Sequence, residues 1–409
     1  MADMTDHDRR YAGLILGTGV NLREGQCLLL RADACSRRFA RLMSSTAYGM
    51  GARWVEVAYE DQALERARLD HSSEDYLEFV PDFVAGRAHE IVSQGWAVVS
   101  LRGPEHPDIM EGVDPARLGR ARKAISIAGR EYMSAIASNL IQWNVCLYPT
   151  AGWSRKVLGD TADWEEGIWR VLDPILRLDE EDAPSRWLSH DGELKRRCRF
   201  LNDRSFDRFV LTGPGTRLQV GMAPGSRFAG GRCVSSSGVG FFPNIPTEEV
   251  FSTPDFRRTE GRLTCTRPLY LMGARVEEPW FVFREGAVVE CGASRGSEVL
   301  ERYLETDAQA RYLGEIALVG GDSPIYRSGL LFHNVLLDEN AACHVALGNG
   351  YTDTVEGASG KTDRELLEMG CNVSLVHTDF MFGSPGLSVR GLGSDGTETT
   401  IMRDGEFVI

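Results

Sequence analysis

The sequence predicts two domains: an α/β N-terminal domain with a largely parallel sheet, followed by a mixed α+β C-terminal domain. Three observations support this. A chain of 409 residues is too long for one ordinary hydrophobic core. The first third alternates strand-like and helix-like segments, which is typical of a parallel sheet covered by helices. The remainder has more alternating apolar and polar runs separated by turns, which is typical of a mixed domain.

The elements of the first domain follow from apolar runs and helix-capping residues. Asp114 followed by Pro115 is a favourable helix start, because the carboxylate can cap the first turn and the proline ring presets φ. The helical pattern that begins there extends to about Ser138. In chain order, the predicted elements are a strand at 27–30, a helix at 37–48, a strand at 54–59, a helix at 83–93, a strand at 96–101, a helix at 114–138 and a strand at 142–148.

A proline and an acidic stretch indicate where the first domain ends. The helical pattern over residues 163–172 is expected to stop or kink at Pro174, because proline has no N–H and its ring crowds the preceding turn. The acidic stretch 179–182 follows. We place the boundary there, so that the predicted domains are residues 1–185 and 186–409.

Composition excludes several classes of protein. A net charge of -14 argues against nucleic-acid partners, which require a surplus of Lys and Arg. No run approaches the roughly 18 apolar residues of a membrane span, and the opening residues do not resemble a signal peptide, so we expect a cytoplasmic protein with no membrane partner. The 9 cysteines are odd in number and lack CxxC spacing, which argues against a zinc-thiolate site and a disulfide framework.

The C-terminal half carries a set of carboxylates and imidazoles, with one tyrosine, that is typical of a two-metal hydrolytic centre. Carboxylates and neutral imidazoles can hold two divalent cations without thiolates, and a carboxylate can bridge the two ions. The set therefore predicts a hydrolase. Its members are Glu249, Glu315, Glu339, His344, Tyr351, His377 and Asp379.

Two parts of this set have a local sequence context that favours a metal. His377 and Asp379 lie in the strand-like run 373–382, so their side chains are expected to point to the same face. The alternative is a hydrogen-bonded pair at a strand end. Glu315 precedes the apolar run 316–319, where an unpaired carboxylate would be costly unless a cation balanced it.

Glu339 and His344 are harder to interpret. Residues 341–347 are predicted to form a helix, and a spacing of five does not place two helical residues on one face. The two could serve one site only if Glu339 lay on the cap turn. The alternatives are an acid at a helix N-terminus for Glu339 and a hydrogen-bonded core histidine for His344.

The adjacent glutamates Glu248 and Glu249 also leave a choice open. One of them is expected to face inward and the other to be solvated. Their spacing does not say which.

A competing motif is the segment Gly292-Ala293-Ser294-Arg295-Gly296, which matches the GxSxG pattern of a nucleophile elbow. It lies between a strand-like run at 287–291 and a helix-like run at 298–304. It therefore offers a serine hydrolase with Ser294 as nucleophile as an alternative. A non-catalytic peptide-binding protein is a third possibility.

Four segments carry a resemblance to a known family: residues 244–251, 313–315, 338–348 and 377–384. These segments resemble those of the M29 metallo-aminopeptidases, the aminopeptidase T and aminopeptidase S group. The resemblance extends over almost the whole chain. The resemblance implies an α/β N-terminal domain, a C-terminal metal-binding domain with two divalent cations, and a homodimer that encloses its active sites. It also implies that the substrates are peptides with a free N-terminus.

The resemblance assigns roles residue by residue. Tyr351 is implied to be the catalytic tyrosine, and Glu339 either a ligand or a general base. The choice of Glu249 over Glu248 comes from the family's spacing. The implied metal ligands are Glu249, Glu315, His344, His377 and Asp379.

The mechanism expected from these roles is metal-assisted hydrolysis of the first peptide bond. Glu315 is expected to bridge the two ions, Glu339 or a ligand oxygen to move the proton of the attacking water, and Tyr351 to donate to the oxyanion. Oxygen and nitrogen ligands without thiolate are compatible with zinc, cobalt, manganese or magnesium. The sequence does not indicate which N-terminal side chain is preferred.

Overall fold

The computed structural model describes residues 5–179 and 182–409. Glu180 and Glu181 of the acidic stretch lie outside the described residues, as do residues 1–4. The strands of the described part are β1 (Cys27–Asp33), β2 (Trp54–Glu60), β3 (Ala97–Arg102), β4 (Trp143–Leu147), β5 (Arg208–Gly213), β6 (Thr216–Met222), β7 (Cys233–Val234), β8 (Gly240–Phe241), β9 (Asn244–Ile245), β10 (Glu249–Ser252), β11 (Pro254–Thr264), β12 (Leu269–Leu271), β13 (Ala274–Val276), β14 (Trp280–Arg284), β15 (Ala287–Gly292), β16 (Leu313–Val319), β17 (His344–Gly348), β18 (His377–Met381), β19 (Ser388–Leu392), β20 (Glu398–Arg403) and β21 (Glu406–Phe407).

The α-helices of the described part lie mostly in the N-terminal half, and those that follow residue 296 are short. They are α1 (Asp6–Leu14), α2 (Arg37–Gly49), α3 (Gln62–His71), α4 (Phe83–Ser93), α5 (Pro115–Ala128), α6 (Arg130–Ala137), α7 (Ala151–Leu158), α8 (Trp164–Leu176), α9 (Ala183–Arg204), α10 (Ser297–Leu304), α11 (Pro324–Arg327), α12 (Val335–Glu339) and α13 (Asp363–Glu368).

The chain divides into two compact units. The first comprises Met1–Ser189 and Arg232–Pro246, and the second comprises His190–Gly231 and Thr247–Ile409. The chain therefore returns once to the first unit, where it adds β7, β8 and β9. The domain boundary that the sequence analysis placed after residue 185 stays a prediction.

The first unit contains a five-stranded sheet in the order β2-β1-β3-β4-β9, and all of its pairings are parallel. Its central strands β1 and β3 are almost continuously buried, as expected where both faces of a sheet are covered. The parallel sheet predicted from the alternation of strands and helices is confirmed.

Two helices of the structure differ in detail from the helices predicted from the sequence. Asp114 caps its helix as predicted, accepting from the backbone N–H of Ala116 at 2.9 Å, but the stretch is divided into α5 and α6 at Gly129. Helix α8 does not stop at Pro174 and runs on to Leu176. Pro174 cannot donate a hydrogen bond to the carbonyl four residues earlier, but only two residues follow it before the helix ends.

The second unit is mostly antiparallel. It contains an eight-stranded sheet in the order β15-β14-β11-β6-β5-β19-β20-β21, a four-stranded sheet in the order β10-β16-β17-β18 and the hairpin β12-β13. The short helices α10 to α13 also lie in this unit. The expectation of a second region distinct from the parallel sheet is thus confirmed, with antiparallel strands as its main content.

The helix predicted over residues 341–347 is wrong. His344–Gly348 form β17, which pairs with β16 on one side and β18 on the other. Every residue of β17 is buried, so the sequence shows no polar alternation to mark it as a strand. A short, uniformly apolar run of this kind cannot be distinguished from a buried helix by periodicity.

Within residues 5–179 and 182–409, none of the helices is long and apolar enough to cross a bilayer.

Candidate metal centre

The register of the four-stranded sheet brings Glu315 and Asp379 to one face. Glu315 of β16 lies opposite Ala346 of β17, and Ala346 lies opposite Asp379 of β18. Residues directly opposite each other in an antiparallel sheet share a face. Two carboxylates from distant parts of the chain therefore flank one alanine.

The same rule places both histidines beside them. His344 precedes Ala346 by two residues and His377 precedes Asp379 by two, and residues two apart on a strand share a face. Two of their neighbours are small: His344 lies opposite Ala317 on β16, with Met381 of β18 on its other side, and His377 lies opposite Gly348. The short side chains leave room above the sheet for the longer carboxylates and imidazoles.

Glu249 completes this face from the edge strand β10. It lies opposite Val319, which is four residues beyond Glu315 on β16 and so points the same way. The five predicted ligands thus share one face, which we call the ligand face. Its members are Glu249, Glu315, His344, His377 and Asp379.

The side chains of the ligand face form two groups that share Glu315. Glu249, Glu315 and His344 offer ligand atoms within 4.8 Å of one another, and so do Glu315, His377 and Asp379. Glu249 Oε2 lies 3.2 Å from His344 Nε2. His377 Nε2 lies 3.3 Å from Glu315 Oε2 and 3.6 Å from Asp379 Oδ1.

Both imidazoles are oriented through Nδ1. His344 Nδ1 lies 3.1 Å from the carbonyl oxygen of Ala342, and His377 Nδ1 lies 2.8 Å from that of Asn349. A proton on Nδ1 is donated to the carbonyl, which leaves the Nε2 lone pair directed at the carboxylates. This is the usual arrangement of a metal-binding histidine with its supporting acceptor.

Two buried oxygens of the ligand face lack a hydrogen-bond donor: Glu249 Oε2 and Asp379 Oδ1. Buried carboxylate oxygens without partners are costly. Here each oxygen lies near an imidazole Nε2, at 3.2 Å for Glu249 and 3.6 Å for Asp379. A divalent cation bound by the oxygen and the nitrogen would satisfy both atoms. The residues therefore fit a metal.

The electrostatics of the metal-free site agree with this. Burial raises the pKa of Glu315 to about 7, against the lowering effect of its hydrogen bond with His377. Burial also lowers the imidazole pKa values, but the carboxylates outweigh it and raise the pKa of His344 and His377 well above their ordinary value. Protons and cations thus compete for these positions.

Glu339 lies beside the ligand face but outside both three-residue groups. It is the last residue of α12, which corrects the expectation of an acid at a helix N-terminus: the helix precedes Glu339 and does not follow it. Burial, followed by the nearby carboxylates of Asp379 and Glu249, raises the pKa of Glu339 well above its ordinary value.

Tyr351 approaches the site from the loop after β17. Its hydroxyl lies 3.2 Å from His377 Nε2. Its backbone N–H donates to Thr253 Oγ1 at 3.0 Å, and its ring packs edge-on against Phe251 with centroids 5.2 Å apart. Burial and the surrounding carboxylates raise the pKa of Tyr351 well above its ordinary value, so the phenol keeps its proton.

The expectation that one of Glu248 and Glu249 is solvated is wrong. Glu248 is 5% exposed and Glu249 is 7% exposed. Glu248 N–H donates to Asn340 Oδ1 at 2.6 Å, and its carboxylate lies 3.5 Å from His190 Nε2. Nothing in the sequence around His190 or Asn340 indicated these contacts, because they join distant segments.

The adjacent glutamates provide a matched pair of variants. We expect Glu249→Gln to weaken metal binding and reduce kcat/KM by at least about 10-fold, since changes to residues that only orient metal ligands already cost about 10–100-fold. Glu248→Gln should retain bound metal, because Glu248 is in neither group. Metal content after dialysis and kcat/KM for both variants check this. A larger loss of metal from Glu248→Gln would contradict the assignment.

Ser294 lies in the context that a nucleophile elbow requires, with β15 before it and α10 after it. Its side chain is exposed, and its hydroxyl donates to the backbone carbonyl of Glu277 at 3.1 Å. A hydroxyl proton given to a carbonyl is not activated by a base. The geometry does not support Ser294 as a nucleophile.

Comparison with known proteins gives one consistent result. The family model described as thermophilic metalloprotease (M29) matches residues 5–407. Aminopeptidase T of Thermus aquaticus is 38% identical over 411 residues, covering 100% of both chains. Aminopeptidase 2 of Geobacillus stearothermophilus is 37% identical over 400 residues, covering 97% of each. The solved structure of wild-type AmpT from Thermus thermophilus superposes with a TM-score of 0.90 at 36% identity, covering 98% of this chain and 99% of that one.

Proposed function

The chain belongs to the thermophilic metalloprotease (M29) family and is a metallo-aminopeptidase, and from this premise we propose that its ligand face binds two divalent cations that serve the hydrolysis. The observation that carries the proposal is the sharing of Glu315 by two three-residue ligand groups. A residue common to both groups would hold two ions close together, as a two-metal hydrolytic site requires.

The residues divide into two sets of ligands. Glu249, Glu315 and His344 would hold one ion, and Glu315, His377 and Asp379 the other. The three carboxylates of these ligands and the carboxylate of Glu339 carry four negative charges, which balance the charge of two divalent cations. The oxygen and nitrogen donors suit zinc, cobalt, manganese or magnesium. When bound, such ions make water more acidic and polarise a carbonyl group.

The remaining residues would manage protons and developing charge. We assign Glu339 as the group that takes the proton of the attacking water and returns it to the leaving amine. Its carboxylate belongs to neither ligand group, yet it is close enough to Asp379 and Glu249 to be influenced by both. Tyr351, with its phenol protonated, would donate to the oxygen that becomes negative during attack.

The carboxylates at the centre, Glu339 and Asp379 in the cleft wall among them, also favour a substrate with a free α-amino group. An ammonium or amine beside the ligand face is attracted by these charges or binds one of the ions. Cleavage is then confined to the first peptide bond. From the family relationship we further propose that the protein is a homodimer and that it lies in the cytoplasm. A monomeric mass measured by light scattering would contradict the homodimer.

Chelation tests the proposed chemistry against the serine alternative. We expect chelator treatment to abolish release of p-nitroaniline from amino-acid p-nitroanilides, and added zinc, cobalt, manganese or magnesium to restore it, because the ligand groups lose their function without cations. Ser294→Ala should leave kcat/KM within about 2-fold of the wild type, since its hydroxyl is exposed and bonded to a carbonyl. Chelator-resistant hydrolysis that disappears in Ser294→Ala would contradict the metal mechanism.

A further inference from the structure

A cleft opens directly from the candidate metal centre. Its volume is about 700 Å³ including its open mouth, and Glu339, His377 and Asp379 lie in its wall. Met381 also lines it and shares the face of His377 and Asp379, because these residues alternate along β18. A substrate residue held at the centre therefore has this cleft as the neighbouring space for its side chain.

The part of the cleft away from the centre is largely apolar. Leu269 and Tyr270 contribute from β12, Leu331 from the loop before α12, and Val335 from the first position of α12. Met381 is 5% exposed and Leu269 is 9% exposed. Unbranched methionine beside leucine forms an adaptable apolar surface that tolerates side chains of different shapes.

An aromatic pair forms a further part of the wall. The rings of Tyr270 and His333 meet edge-on, with centroids 5.9 Å apart. His333 has a φ of 52°, in the left-handed region, so the loop that carries it is held in a specific shape. This part of the wall therefore needs the support of contacts that hold the loop.

The carboxylate of Asp338 supplies that support. It accepts from the backbone N–H of Phe332 at 2.9 Å and of Asn334 at 3.1 Å. Arg267 lies 3.5 Å from the same carboxylate and donates to the carbonyl of Leu330 at 3.0 Å. The carboxylate and the guanidinium thus neutralise each other while they fix the loop.

Away from the metal centre, this arrangement leaves the carboxylate of the cleft wall already paired. Outside the metal centre, Asp338 is the one carboxylate among the described lining residues, and the loop and Arg267 occupy it. A lysine, arginine, aspartate or glutamate side chain would lose hydration beside Leu269, Leu331 and Met381, which offer it no charged partner. An apolar side chain would gain by leaving water.

We propose that this cleft receives the side chain of the substrate's N-terminal residue and selects large uncharged side chains such as leucine, methionine and phenylalanine. The inference rests on the proposed function, because it requires the peptide to be bound at the ligand face. It goes further by naming the class of substrate and the residues that select it, chiefly Leu269, Tyr270, Leu331 and Met381.

The first test is a panel of amino-acid p-nitroanilides with the metal-loaded protein. The expected kcat/KM for leucine, methionine and phenylalanine exceeds that for alanine by roughly 10-fold or more, the usual effect of added methylene groups in an apolar pocket. Arginine, lysine and glutamate should fall below alanine. Turnover that is highest for a charged residue, glycine or alanine would overturn the inference and leave the proposed function intact. No turnover with any metal would overturn both.

The second test introduces charge at the mouth of the cleft. Val335 is 67% exposed and opens α12, where a glutamate is compatible with the helix dipole. Val335→Glu should raise the arginine-to-leucine ratio of kcat/KM about 2- to 5-fold, the effect of one exposed ion pair, and Val335→Lys should lower it. Val289→Glu is the matched control, an exposed valine on β15 outside the cleft that should leave the ratio unchanged.

A binding measurement gives a readout independent of turnover. Calorimetric titration with free L-phenylalanine and L-arginine should show tighter binding of phenylalanine to the wild type and a smaller difference in Val335→Glu. Equal shifts of the ratio in Val335→Glu and Val289→Glu would overturn the inference, because the charge would then act through the general field of the protein. Unchanged ratios in both Val335 variants would also overturn it.

Discussion

Glu315→Gln is expected to reduce kcat/KM by at least about 10²-fold and to lower the amount of bound metal at both positions. Glu315 is the member common to both ligand groups, so one substitution removes a ligand charge from each. An amide has no negative charge, and one of its two terminal atoms carries hydrogens that a cation repels. Changes to residues that only orient ligands already cost about 10–100-fold, which sets the lower bound for a shared ligand.

The folded state of this variant can be checked without metal. Burial raises the pKa of Glu315 to about 7, so ionising it costs the metal-free folded protein stability as the pH rises from about 4.5 past 7. At pH 8, metal-free Glu315→Gln should therefore unfold at a temperature no lower than the metal-free wild type. Glu298→Gln, exposed on α10, is the control for activity. Wild-type metal content in Glu315→Gln would contradict the bridging role.

Glu339→Gln is expected to lower kcat by about 10²- to 10⁴-fold, the range for loss of a general base, while both ions stay bound. Glu339 belongs to neither ligand group, and it lies in the wall of the cleft with His377 and Asp379. Glutamine preserves its size and removes its ability to accept a proton. Metal analysis and steady-state kinetics on the same sample separate the two roles that the sequence left open.

Glu339→Asp provides the matched control for this experiment. It keeps a carboxylate but shortens the side chain, so kcat should lie between those of the wild type and Glu339→Gln. If Glu339→Gln loses an equivalent of metal, the residue is a ligand and the assignment as proton carrier is contradicted. If it keeps both ions and full kcat, the residue has neither role.

The part of the site that could be predicted from sequence rests on short-range rules. His377 and Asp379 share a face because strand side chains alternate, and that rule needs no knowledge of neighbouring strands. Glu315 was identified because a carboxylate next to an apolar run needs a partner. The parallel sheet of the first unit also followed from local alternation, and the structure has it.

The rest depended on which strands pair and in which register. The run around His344 is buried on both faces, so it gave no period, and a helix was predicted where β17 lies. With that helix, Glu339 and His344 could serve one site only if Glu339 lay on the cap turn. In the structure His344 lies in a sheet, opposite Met381 and on the ligand face. Such long-range pairing leaves no local signature in the chain.

Glu248 and Glu249 show the same limit at the scale of one residue. Both are buried, and only the pairing of Glu249 with Val319 decides which of them joins the ligand face. Backbone acceptors such as the carbonyls of Ala342 and Asn349 were equally invisible, because every residue has a carbonyl group.

Anomalous diffraction from crystals grown with zinc or manganese tests the two-metal site most directly. The account predicts two anomalous peaks on the ligand face, one contacting Glu249, Glu315 and His344 and the other contacting Glu315, His377 and Asp379, with ligand distances near 2.0–2.3 Å. A single peak that does not contact Glu315, or peaks only elsewhere on the protein, would contradict it.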